Sequence, residues 1–112
     1  MTNFKDSTGR WRTISLFLEN YTDSRDKFNP VYTLKDTDVT INSGIVIPSF
    51  SRLYLEISDP TEWRVATELL GGWVHFETLL KSPWFFELIE KLRVILEIKL
   101  RSEALNRLIN DK

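Results

Sequence analysis

The residues of this chain whose types can do chemistry are few: one histidine, a close pair of aspartates and a pair of glycines. His75, between Trp73-Val74 and Phe76-Glu77, is the only histidine, which rules out a multi-histidine metal site or a catalytic triad. As a lone general base beside Glu77 it would still need a nucleophile, and none lies nearby in sequence. A boundary imidazole hydrogen-bonded to a neighbour is the simpler reading. Asp36-Thr37-Asp38 sets two carboxylates in one turn. With Asp23, Asp26 or Asp59 they would hold a Mg²⁺ ion as nucleases do, if distant segments converge there; a solvated turn accounts for the same residues. Gly71-Gly72 lacks the Gly-rich turn and following Lys and Ser or Thr of a phosphate loop, so it reads as a helix break. The chain therefore reads as a non-enzyme, with no cofactor and no metal expected.

Nucleic-acid binding is the next chemistry to weigh. The net charge is −1, from 15 basic and 16 acidic residues. By segment, residues 1–30 hold five basic and four acidic side chains, 31–60 two and four, 61–82 two and three, and 83–112 six and five. No segment has the strong basic excess of a DNA-coating surface. The possible DNA contacts are Arg10 and Arg12 near the amino terminus and Arg64 on a helix, with Lys5, Arg25 and Lys27 able to touch a phosphate backbone. A helix-turn-helix built from residues 49–81 would present Glu62, Arg64 and Glu68 outward, and phosphates repel the two acids. The aromatic set Trp63, Trp73, Phe76, Trp84, Phe85 and Phe86 would suit a stacking platform only if basic residues interleaved it. Core filling explains it better.

The elements that must position these residues follow from patterning. With 112 residues, 42% of them apolar and 12% aromatic, the chain has enough material for one compact domain. Zero cysteines exclude a disulfide framework and suit a reducing compartment. No stretch approaches the roughly 18 apolar residues of a membrane span, and the first residues lack a signal-peptide apolar run, so no membrane partner is expected. Residues 1–10 read as a flexible arm, and 11–112 as a single domain. From Trp11 to Glu19 the β-branched and aromatic residues alternate as in a strand, with a helix as the alternative for Ser15 to Tyr21. Thr22 to Lys27, closed by Asn29-Pro30, is a loop by composition, and Val31 to Leu34 a short strand. Val39-Thr40-Ile41 and Ile45-Val46-Ile47 around Asn42-Ser43-Gly44 give a hairpin.

Helices follow. Ser49 or Ser51 can cap a helix whose apolar residues Phe50, Leu53, Tyr54 and Ile57 share one face. Asp59-Pro60-Thr61-Glu62-Trp63 looks like a helix start, with Asp59 as cap, Pro60 in the first helical position and Glu62 completing a capping-box pattern. Trp63, Ala66, Thr67 and Leu70 then form the inner face, as do Trp73, Phe76, Leu79 and Leu80 in the next helix. The last helix, from about residue 83 to 109, carries one apolar stripe of Phe85, Leu88, Ile89, Leu92 and Leu96. Val94, Ile98, Leu105 and Ile109 cluster on nearly the opposite face. The expected fold is α+β, mainly α: short amino-terminal strands and a hairpin, three short helices, then a long helix that partly projects. Its second apolar face predicts a homo-oligomer interface made by those four residues.

The stretch Pro48-Ser49-Phe50-Ser51-Arg52-Leu53-Tyr54-Leu55-Glu56, the run Asp59 to Trp63, Gly72-Trp73 and Lys99 to Ala104 together resemble small proteins of tailed bacteriophages, some of them similar to small terminase subunits. The resemblance covers about residues 30–109. It implies a ring-forming component in the host cytoplasm that recognises viral DNA and hands it to a large packaging subunit. The absent basic helical face departs from that pattern. A phage-encoded module that docks on a host or virion protein through the hairpin or the last helix is the alternative.

Overall fold

The computed structural model describes residues 4–20 and 30–110. The fold is α+β and mainly helical, with one two-stranded hairpin at the edge of a helical body. Strands β1 (Val39–Thr40) and β2 (Val46–Ile47) pair antiparallel, with Val39 opposite Ile47 and Thr40 opposite Val46. Gly44, at φ +84°, supplies the left-handed residue that the connecting turn requires. Strands this short do not hold together alone, and Ile47 is buried.

The α1 helix (Phe50–Ile57) begins where expected: the Ser49 hydroxyl accepts from the Arg52 N–H at 3.1 Å. Phe50 and Tyr54 are buried, and Leu53 and Ile57 are packed beside them. A π-helix (Val65–Leu69) follows, then α2 (Trp73–Leu80) and α3 (Pro83–Asn110). Gly71 and Gly72, at φ +76° and +149°, break the chain between the π-helix and α2. The core runs from Leu16 and Phe17 through Phe50, Tyr54, Val65, Leu70 and Phe76 to Phe85, Ile89, Leu92 and Leu96. Its centre is aromatic: the Phe17 ring lies 5.8 Å from Phe50 and 5.9 Å from Phe85, and Phe50 is 5.6 Å from Phe85.

Three expectations need correction. The strand read over Trp11 to Glu19 is two 3₁₀ turns, Ile14–Leu16 and Leu18–Asn20. Leu16 and Phe17 are both fully buried; a strand points neighbouring side chains to opposite faces, whereas a turn can bury both. From Phe4 onward, the segment read as an arm is a hydrogen-bonded turn: the Arg12 N–H donates to the Phe4 carbonyl at 2.8 Å, and Asp6 N–H to Arg10 O at 2.8 Å. The Phe4 ring packs on Gly71, where an added Cβ would meet it at 2.8 Å. The short strand read over Val31 to Leu34 is reduced to isolated bridges, Tyr32 with Phe17 and Thr33 with Ser49. The loop expected at 22–27, with Asp23, Arg25, Asp26 and Lys27, lies outside the described residues.

The α3 helix spans 28 residues, about 42 Å at 1.5 Å per residue. Its side chains are buried or partly buried on the core side as far as Leu100, and every residue from 101 to 110 is exposed. The molecule accordingly measures 58 × 31 × 25 Å, with a radius of gyration of 15.9 Å, against about 13 Å for a compact chain near this length. The Lys99 ammonium donates to the Leu55 carbonyl at 2.7 Å and to the Ser58 hydroxyl, tying α3 to the end of α1 just before it leaves the body.

Candidate functional site

Three polar arrangements fix the body from which α3 projects. The first is the turn at Asp59. Here the helix start differs from the sequence expectation: helical geometry begins at Trp63, not Pro60. Asp59 still caps it, from further away. Its carboxylate accepts from the Thr61 N–H at 3.0 Å, the Thr61 hydroxyl at 2.7 Å and the Arg64 N–H at 2.9 Å. The Arg64 and Thr61 hydrogen bonds hold its pKa below the ordinary value of 3.8. Glu62 forms no capping box, and it is not an outward residue. It takes a left-handed backbone, φ +68°, which turns its carboxylate into the domain. There it accepts from the Tyr54 hydroxyl at 2.7 Å and from Arg93 Nε and Nη2 at 2.9 and 2.8 Å. A left-handed glutamate costs about 1 kcal/mol, offset by a bidentate, charge-assisted pair that few arrangements provide. Burial, with the Glu62 carboxylate beside it, pushes the Tyr54 hydroxyl well above the ordinary tyrosine range, so Tyr54 serves as a donor throughout the usual pH range.

The second arrangement surrounds His75, which is fully buried rather than at a boundary. Its Nδ1 lies 2.9 Å from the Leu70 carbonyl and its Nε2 2.7 Å from the Arg12 carbonyl. Trp11 stacks on the ring at 4.8 Å and Phe4 meets it edge-on at 5.6 Å. The imidazole thus satisfies a carbonyl at the end of the π-helix, as the Tyr32 hydroxyl does at Leu69, and no hydroxyl or thiol adjoins it among its recorded partners.

The third is at Asp38. Its carboxylate accepts from the Ser49 N–H at 2.9 Å and from Arg52 Nε and Nη2 at 2.9 and 3.1 Å, and the Arg52 pair holds its pKa low. Asp38 is therefore spent on bracing α1 against the hairpin, and among the described residues no three His, Cys, Asp or Glu side chains converge to hold a metal.

The three arginines read as DNA contacts separate. Arg12 is 2% exposed, and donates to the Ser15 carbonyl at 2.7 Å and hydroxyl at 3.2 Å; a phosphate cannot reach it. Arg64 is exposed but paired with Glu68 at 2.6 Å, which cancels its charge locally. Arg10 is exposed. Of the aromatics read as core, Phe76 and Phe85 are buried, Phe86 is exposed, and Trp63 is 58% exposed, stacked 5.9 Å from Trp73. Its displacement follows from the later helix start and the wider π-turn, which rotate the inner face onto Val65, Ala66, Leu69 and Leu70.

What remains is the outer face of α3. Val94, Ile98, Leu105 and Ile109 are all exposed, by 58% to 64%. Leu108, which the sequence reading left out, is 72% exposed and belongs with them: at 100° per residue it falls within 40° of Val94. Its spacing from Leu105 was the available signal. From Arg101 to Asn110 every residue of the helix is exposed, and Arg101 and Ala104 still border the body. An apolar groove of about 360 Å³ at its root is lined by Tyr54, Pro60, Leu96, Leu100 and Ala104, with Arg93, Glu97 and Arg101 on its rim. No helix among the described residues is long and apolar enough to cross a membrane. Comparison of the chain with protein-family models, with curated proteins and with solved structures gives no match.

Proposed function

We propose that this chain is a non-enzymatic bacteriophage protein that works by assembling with copies of itself, through the outer face of α3. The observation that carries this reading is the unsupported helix end: ten residues, 101–110, are exposed, with Leu105, Leu108 and Ile109 bare. A helix of that length is marginal in water by itself, and an apolar stripe on it is held out of water only by another surface. The buried polar groups His75 and Glu62, and Asp38 at the surface, are all turned to structural partners, which supports a binding role over a catalytic one.

Within that class, the resemblance to small phage proteins points to viral DNA packaging in the host cytoplasm, with a large packaging subunit as partner. Arg12 is buried and Arg64 is paired with Glu68, which leaves Arg10 as the candidate contact, so the ring and not the single chain would have to gather the charge. The alternative, docking on a host or virion protein, is favoured by the exposed Trp63 and the exposed hairpin residues Ile45 and Val46. Solution mass, measured with and without duplex DNA at low salt, separates these. An oligomer that binds DNA, and binds it less after Arg10→Ala, supports packaging. An oligomer indifferent to DNA supports docking, and a strict monomer at 100 µM-scale concentration removes self-assembly.

A further inference from the structure

The apolar groove at the root of α3 is built on a loop pinned at both ends. Ser58 and Glu62 both take left-handed backbones, at φ 53° and 68°, and each is gripped by a cation of α3. The Lys99 ammonium donates to the Ser58 hydroxyl at 2.5 Å, and Arg93 donates to the Glu62 carboxylate at 2.9 and 2.8 Å. Pro60, between the two pins, lines the groove with Tyr54 of α1. Along α3 the lining runs from Arg93 through Leu96 and Leu100 to Ala104; steps of 3, 4 and 4 keep these residues on one helical face, over about 16 Å. A loop fixed at both ends leaves the groove preformed, as small-molecule sites usually are.

The chemistry of the lining selects the occupant. At about 360 Å³ the groove lies within the roughly 300–1,000 Å³ range of small-molecule sites, and it is more than twice the size of a cavity of about 150 Å³ that takes one benzene. The Tyr54 hydroxyl is spent on Glu62, and Glu62 also answers the charge of Arg93. The inner part of the groove therefore offers no free polar atom and favours a hydrocarbon. Arg101, nearer the tip of α3, differs. Its side chain is 74% exposed, and among the described residues only its Nη2 is bonded, to Glu97 at 2.8 Å. An exposed i,i+4 pair of this kind is weak, and the rest of the planar guanidinium is shaped to take a second carboxylate. We propose that the groove binds a medium-chain aliphatic carboxylate. Its hydrocarbon chain lies along Leu96, Leu100 and Ala104 against Pro60, and its carboxylate sits on Arg101, with Glu97 displaced into water. The site does not depend on the self-assembly reading, because Val94, Ile98, Leu105 and Ile109 do not line it.

Octanoate is the probe and octanol its uncharged counterpart, each titrated into the full chain below its micelle or solubility limit and followed by backbone amide shifts in NMR spectra. The expected result is saturable octanoate binding, with shifts centred on Tyr54, Leu96, Leu100 and Ala104. Its affinity is expected to exceed that of octanol by about tenfold, the worth of one charge-assisted contact. Ala104→Trp, at an exposed helical position where circular dichroism checks that the fold is kept, fills the groove and abolishes binding. Arg101→Gln brings octanoate down to the affinity of octanol, and Glu97→Gln, which removes the competing acid, tightens octanoate. No saturable octanoate binding at millimolar concentration overturns the inference, as does binding that survives Ala104→Trp. Equal affinity for octanol and octanoate assigns the groove to an uncharged occupant, such as an apolar side chain of a partner protein, and overturns it as well.

Discussion

Two series of residues on α3 share one spacing and have opposite surroundings. Phe85, Ile89, Leu92 and Leu96, at steps of 4, 3 and 4, are buried against α1, α2 and the aromatic centre. Val94, Ile98, Arg101, Leu105 and Leu108, at steps of 4, 3, 4 and 3, face solvent. Periodicity marks a face suited to burial but does not say what buries it. Among the described residues the small body has one hairpin, three short helical segments and two 3₁₀ turns to offer, which cover one side of α3 over about four turns.

If this contrast is right, changing the first series alters the folded body and changing the second alters only association. Phe85→Ala should lower unfolding free energy by about 3–5 kcal/mol, the cost of a cavity at an aromatic site, measured by denaturant titration. Arg93→Ala, which leaves the buried Glu62 with Tyr54 alone, should cost about 2 kcal/mol, less than a wholly buried pair because the Arg93 side chain is 39% exposed. An Arg93→Ala protein as stable as the wild type would show that the left-handed Glu62 is held by something else. Acid comes next. Asp38 and Asp59 have folded pKa values below the ordinary 3.8, so their contribution is complete above that value and is lost as pH falls through the depressed pKa values. Melting temperature should therefore drop on going from pH 5 toward pH 2.5, with a shallower fall in Asp59→Asn; equal slopes would break the capping account. Leu105→Ala should move the stability of the dilute chain by less than about 0.5 kcal/mol, while reducing the mass-dependent oligomer. A large loss of stability in dilute protein would erase the distinction between the two series.

Much of the helical half was legible from local chemistry. The Ser49 cap, the Gly71-Gly72 break and both faces of α3 depend on residue type and spacing, and those are present in the chain itself. The failures have a common cause. Glu62 matched a capping box, yet Arg93, 31 residues away, and Tyr54 hold its carboxylate, and a partner so distant in sequence overrode the local pattern. Arg12 looked like a free cation until the fold closed over it and joined its carbonyl to His75, 63 residues on. The alternation from Trp11 to Glu19 has the period of a strand, but no neighbouring strand exists for it to pair with among the described residues except at single bridges. The α3 outer face was visible, with Leu108 missed because Ile109 next to it satisfied the same search.

Lys99 gives α3 a pivot. Beyond that tether the helix extends another 10 residues or so, about 15 Å, and a rod fixed at one end converts angle into travel. A tilt of about 10° at the Leu55 and Ser58 anchor carries the tip by about 2.5 Å, close to half a helical turn. The ammonium group at the end of α1 therefore sets the reach and aim of the free segment, and through it the separation of any two bodies that the segment joins.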